Sequence, residues 1–170
     1  MGILNGNPKE EPMHDGEVFG VWSFISANNG LLSVYQAFTN HAGDKDLKMM
    51  LEEAVKTMKD ENKQASEILK ANGIALPPAL PDRPVASAVD IPVGARFTDP
   101  EISAILSANG AAGLVTCSQI IGQSIREDIG AMFGQFHMNK AQFGAKLLKL
   151  NKEKAWVIPP PLHVSPPIKN

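Results

Sequence analysis

"IALPPALPDRPVASAVDIPVGARFTDP", residues 74–100, is the stretch that decides the fold. Five prolines lie between Pro77 and Pro92, and Pro100 closes the stretch. Proline lacks an N–H and fixes φ, so no helix persists through it. A long ordered loop inside a compact domain needs a reason. In some four-helix bundles the second and third helices run parallel, and their connection must travel the length of the bundle. At about 3 Å per extended residue, residues 74–100 can span roughly 40 Å, enough for that task.

Outward from this segment, both flanks read as helix pairs. Upstream, Val18, Trp22, Ile25, Leu32 and Tyr35 recur at helical spacing, with Val21, Phe24, Leu31 and Phe38 beside them. Asn28, Asn29 and Gly30 interrupt this pattern and predict a bend. Gly43 is expected to end the helix as a left-handed residue. Asp44 can cap a second helix, whose seam holds Leu47, Leu51, Ala54, Met58, Glu61, Ala65 and Ile68. Asn72-Gly73 stops it.

Downstream, Asp99-Pro100-Glu101 is a helix start, with Asp99 as the expected cap. The third helix is crowded with Ala, Gly and Ser, which let a neighbour approach closely. The fourth runs from about Ile125 to Lys154. Ile129, Phe133, Phe136, Phe143, Leu147 and Leu150 form its bulky stripe, and Gly130, Gly134, His137, Ala141, Gly144 and Leu148 a mostly small one. Small residues of the third and fourth helices could also line a small-ligand pocket. The expected architecture is all-α, a ferritin-like four-helix bundle. It divides into a leader (residues 1–14), the bundle (15–156) and a proline-rich tail (157–170).

The chain has 170 residues and a formal net charge of −2, a balance that argues against a nucleic-acid partner. Its single cysteine, Cys117, cannot form an intramolecular disulfide, which fits a reducing interior. The first residues lack the apolar core of a secretory signal. There is no uninterrupted apolar run of about 18 residues, so no membrane span is expected.

A ferritin-like bundle raises the question of metal. A di-iron site needs a Glu from each of two helices and Glu-x-x-His from the other two. Glu61 lies on an apolar seam, but Gln64 stands three residues on. Glu127 is followed at that distance by Gly130. Glu17 and Glu101 lie only at helix starts. Both histidines of the pattern are missing, so no metal, cofactor or catalytic residue is assigned. If a site exists, its candidates are Glu61, Glu127, His137 and His41. Glu61 itself must be exposed, paired with a lysine, or hydrogen-bonded to Gln64 and its neighbours. His137 could face His41 or Cys117 across the bundle. Cys117 sits among Ala and Ile and reads as a small hydrophobe.

"VWSFISANNGLLSVYQAFTNHAGDKDLK", "LKANGIALPPALPDRP", "DIPVGARFTDPEI", "CSQIIGQSIREDIGAMF" and "FHMNKAQFGAKLLKLNKEKAW" resemble a family of poorly characterised proteins from Bacillus and relatives. That family is placed near coat-F-like spore coat proteins, within the ferritin-like bundles. The resemblance covers about residues 15–162. It implies a cytoplasmic, sporulation-linked or spore coat setting and brings no catalytic residues. Some relatives carry two copies of the unit, so a single copy is expected to pair with itself as a homodimer or to bind coat-associated partners. The leading expectation is thus a non-enzymatic structural or interaction protein. The alternative is a ferritin-like metal-binding protein or oxidoreductase with an atypical site.

Overall fold

A computed structural model describes residues 11–161 and 163. The expected leader and tail fall partly outside it, at residues 1–10, 162 and 164–170. Among the described residues the chain is all-helical, with four long helices and no strand. They are α1 (Asp15–His41), α2 (Lys45–Ala71), α3 (Asp99–Gln123) and α4 (Glu127–Glu153).

The helix ends follow from local chemistry. Asp44 Oδ1 accepts from the N–H groups of Asp46 and Leu47 at 2.9 and 3.1 Å, which caps α2. Gly73, at φ 70°, closes α2 in the left-handed conformation that glycine adopts without steric cost. Gly43 does not play that role. The C-cap of α1 is Ala42, in an extended conformation. The N–H groups of Gly43 and Asp44 instead donate to the Asp99 carboxylate at 2.8 and 3.0 Å. Asp99 therefore braces the α1–α2 turn, while the N-cap of α3 is Thr98, whose N–H and hydroxyl both donate to Glu101 Oε2. The acidic first turn still complements the helix dipole.

Residues 28–30 do not interrupt α1, which runs unbroken from Asp15 to His41. Asn and Asp weaken helices by competing for the local backbone. Here Asn28 and Asn29 bond across to other elements instead. Asn28 Nδ2 donates to Asn62 Oδ1 at 3.0 Å, Asn62 Nδ2 to Asn29 Oδ1 at 2.9 Å, and Asn29 Nδ2 to the Pro78 carbonyl at 3.0 Å.

Residues 72–98 follow the flank of α1. Prolines leave a segment short of N–H donors, so its carbonyls must be satisfied from outside. Trp22 Nε1 donates to the Ala75 carbonyl at 3.1 Å and Asn40 Nδ2 to the Pro84 carbonyl at 3.0 Å. Between them, Gln36 Nε2 donates to Asp82, and Arg83 Nε donates to the Ser33 carbonyl. At the far end the Phe97 N–H donates to His41 Nδ1 at 3.0 Å. Trp22, Asn29, Ser33, Gln36 and Asn40 thus form one helical stripe that holds the segment along α1.

Two apolar clusters fill the interior, and every helix contributes to both. One contains Tyr35, Phe38, Leu47, Leu51, Ile102, Leu106, Leu147 and Leu150. The other contains Val21, Phe24, Ala65, Leu69, Cys117, Ile120, Ile129, Phe133 and Phe136. Phe133 and Phe136 are fully buried, each contributing roughly 1.5–3 kcal/mol. Phe24 meets Phe133 edge-on at 4.9 Å and stacks on Phe136 at 5.6 Å.

The third helix packs differently from its neighbours. From Ile102 to its end at Gln123 it carries no Asp, Glu, Lys or Arg. Ile102, Leu106, Cys117 and Ile120 face the core, whereas Ala104, Ala108, Ala111, Ala112, Val115 and Gly122 are exposed. By length and composition, Val93–Gln123 could cross a membrane, and 17% of its most apolar window is buried.

Candidate functional site

Between the two apolar clusters lies a polar layer, and each helix supplies it from its own core-facing stripe. In α1 the stripe Phe24, Asn28, Tyr35 carries Asn28. In α2, Met58, Glu61, Ala65 carries Glu61. In α3, Leu106, Asn109, Gly113, Cys117 carries Asn109. In α4, Phe136, Lys140, Phe143, Leu147 carries Lys140. Helical spacing places these side chains toward the shared interior.

At its centre, Lys140 Nζ donates to Glu61 Oε2 at 2.5 Å. Glu61 is 1% exposed and the Lys140 side chain 16%. Desolvation raises the Glu61 carboxyl above its ordinary value, with Lys140 and Asn139 opposing. Among the described residues Oε1 of Glu61 has no hydrogen-bond partner, the Asn139 carboxamide standing near the carboxylate without meeting bonding geometry. Lys140 reaches the carboxylate by passing over Gly113, where a Cβ would meet its Cδ at 3.0 Å and its Cε at 3.1 Å. Its ammonium also stands 5.4 Å from the centroid of Phe24. Cys117, fully buried below, has its thiol pushed up to about 11, chiefly by burial. A thiol held that high carries little of the thiolate, the nucleophilic form, at neutral pH.

The layer opens on one side into a cavity of about 370 Å³. Asn28, Glu61, Asn109, Asn139, Lys140 and Gln64 line it, together with the apolar Leu31, Met58 and Phe143. At its rim Lys146 pairs with Glu53 at 2.6 Å. Tyr35 also lines it, and burial raises its hydroxyl, with Asn109 opposing.

The four residues singled out from the sequence are not brought together. Glu61 alone lies in the layer. Glu127 is exposed at the first turn of α4, beside the α3–α4 connection. His41 sits at the end of α1, where it accepts from Phe97. His137 is half-buried one turn before Lys140. Among the described residues no group of three or more His, Cys, Asp or Glu could hold a metal ion. The donor set does not fit a di-metal centre, because the cation beside Glu61 is already Lys140. Of the ways anticipated for Glu61, pairing with a lysine is the one seen; Gln64 is exposed and makes no bond to it.

Lys140 was not singled out from sequence, yet a signal for it exists. It interrupts the bulky stripe of α4 midway, as Glu61 interrupts that of α2. Two opposite charges at matching depths on core-facing stripes are expected to meet, since neither can be buried alone.

The chain and its fold have relatives. The structure matches a crystal structure described as a "putative spore coat protein" from Bacillus halodurans C-125. The TM-score is 0.92 and the identity 63%, over 94% of this chain and 100% of the other. A conserved hypothetical protein from Mycobacterium tuberculosis shares the fold alone, at 10% identity and TM-score 0.63, covering 81% of this chain and 98% of that one. The uncharacterised protein YvdQ of Bacillus subtilis (strain 168) is 60% identical over 164 residues, 96% of either chain. Residues 1–167 match the family described as "Protein of unknown function (DUF3231)", and this chain belongs to that family.

Proposed function

We propose that this chain is a non-enzymatic structural protein of the spore coat or its associated layers, a ferritin-like bundle whose exposed α3 face docks a second copy. The uncharged outer face of α3 carries the proposal. Ala104, Ala108, Ala111, Ala112 and Val115 lie at helical spacing and are exposed to solvent in the single chain. Small residues let a partner helix approach closely. A face without charge offers nothing for a charged partner to pair with, but it meets its own copy without repulsion. Two-fold docking would cover the same patch on both chains. In this reading residues 72–98 are the crossover that lets α2 and α3 run parallel, as their bonds along α1 support. The 63% identical Bacillus halodurans relative supports the coat setting.

Sedimentation of the purified chain tests the docking. The expected species has twice the 18.3 kDa mass of one chain. Ala108→Glu and Ala112→Glu should each return it to the single-chain mass with unchanged helical circular dichroism. A single-chain mass for the unaltered protein at about 100 μM would contradict the proposal. So would sedimentation of the chain with lipid vesicles, because α3 would then face a membrane. For the coat setting, immunoblots of spore coat extracts should detect the chain, and its confinement to the cytosolic fraction would contradict that placement.

A further inference from the structure

The cavity in the polar layer has a feature that packing alone does not account for. A buried carboxylate oxygen ordinarily has a donor, because desolvating it without one costs about 1–3 kcal/mol or more. Glu61 Oε1 has none, while its sister oxygen is held by Lys140. The carboxylate lines the open cavity. The Glu61 charge is already matched by Lys140 and that of Glu53 at the rim by Lys146, while Asp60, the third carboxylate of the lining, is exposed and screened by solvent. The missing partner is therefore a hydrogen-bond donor without charge. A cationic ligand would meet Lys140 and an anionic one Glu61.

The rest of the wall has the same preference. Asn28, Asn109 and Asn139 present carboxamides; Asn28 Nδ2 already donates to Asn62 and Asn139 Oδ1 accepts from Gln135, and each group keeps a further hydrogen or lone pair for a ligand. That is the complement of hydroxyl groups, which both donate and accept. Leu31, Met58 and Phe143 supply carbon surface for a carbon frame. A volume of about 370 Å³ is in the range of small-molecule sites. We infer that this cavity binds a neutral polyhydroxylated small molecule, a polyol or simple sugar, with one hydroxyl donating to Glu61 Oε1 and others meeting the carboxamides. The inference is independent of the docking of α3.

The test is a titration of the isotopically labelled full chain with glycerol, myo-inositol and D-glucose, read on the side-chain amide signals of Asn28, Asn109 and Asn139. At least one of the three should give saturable shifts with a Kd below about 10 mM. Glu61→Leu should weaken binding about tenfold or more. Gly110→Leu provides a second variant. Gly110 lines the cavity and an added Cβ would meet nothing within 4 Å, so a leucine there has room to extend into the space. It too should weaken binding about tenfold. The inference is overturned if none of the three polyols saturates by about 50 mM, or if Gly110→Leu responds like the unaltered chain. Saturation by putrescine in their place would overturn it as well, since that would assign the cavity to cations.

Discussion

Two buried glutamates mark two kinds of interior. Glu17, 2% exposed, sits at the start of α1. Its Oε1 accepts from the N–H groups of Ile125 and Arg126 at 2.8 and 2.9 Å, and its Oε2 from the N–H of His14 at 3.2 Å. It satisfies orphan donors at the α3–α4 connection and ties that connection to α1. Arg126 completes the knot by donating to Asp128, Asn72 and the Glu11 carbonyl. Glu61, 1% exposed, is buried as deeply, but one of its oxygens lacks a donor and the residue lines an open cavity. The first carboxylate holds elements together; the second leaves a bonding position unfilled. The difference teaches that burial alone does not mark a site, and that the informative quantity is what each oxygen touches.

The largest effect is expected at Glu17. Glu17→Ala leaves three backbone N–H groups without their acceptor, and should cost about 4 kcal/mol in urea unfolding. A loss below about 1 kcal/mol would erase the contrast from that side. Lys140→Met comes next. It strands the Glu61 charge in the interior and should cost about 3 kcal/mol. Adding Glu61→Gln should recover most of that loss, so that the double variant unfolds within about 1 kcal/mol of the unaltered chain.

The pH dependence sharpens the comparison further. The folded-state Glu61 carboxyl lies above its ordinary 4.5, so the folded chain keeps that proton to higher pH than the unfolded one. Below 4.5 the group is neutral in both states. As pH rises through 4.5 and on through the raised value, stability attributable to Glu61 falls. Asp44 behaves oppositely, because its bond from Lys154 lowers its carboxyl, and its contribution is lost as pH falls. Urea unfolding of Glu61→Gln and the unaltered chain between about pH 4 and pH 7 isolates the first effect. The variant should gain relative to the unaltered chain as pH rises.

The smallest effect separates two glycines on α3. Gly110→Ala meets nothing and should gain about 1 kcal/mol from helix propensity. Gly113→Ala crowds Lys140 at 3.0–3.1 Å, so that gain should vanish. Equal gains at both positions would mean that Lys140 does not depend on the opening above Gly113.

Much of the helical frame was legible because its signals are local. Asp44 caps α2 through its own neighbours, and Asn72-Gly73 stops it by backbone conformation. The misreadings were non-local. Asn28 and Asn29 look like helix breakers until their partners, Asn62 and the Pro78 carbonyl, are known. Asp99 looks like a cap until the α1–α2 turn arrives beside it. The site was half legible. Glu61 stood out as a charge on an apolar seam. Lys140 did not, because it sits between large apolar members of the α4 stripe, and helical spacing alone does not show that a lysine there turns inward. A polar residue midway along each core stripe, Asn28, Glu61, Asn109 and Lys140, is a pattern of the four helices together and shows in none of them singly.

The contrast between the two glutamates is tested most directly by following the Glu61 carboxyl carbon through a pH titration by NMR. The expected result is a midpoint above the ordinary 4.5, moving higher still in Lys140→Met. A midpoint at or below 4.5 would show that donors outweigh desolvation at this carboxylate, and would contradict the reading of this layer as a site with an incompletely satisfied carboxylate.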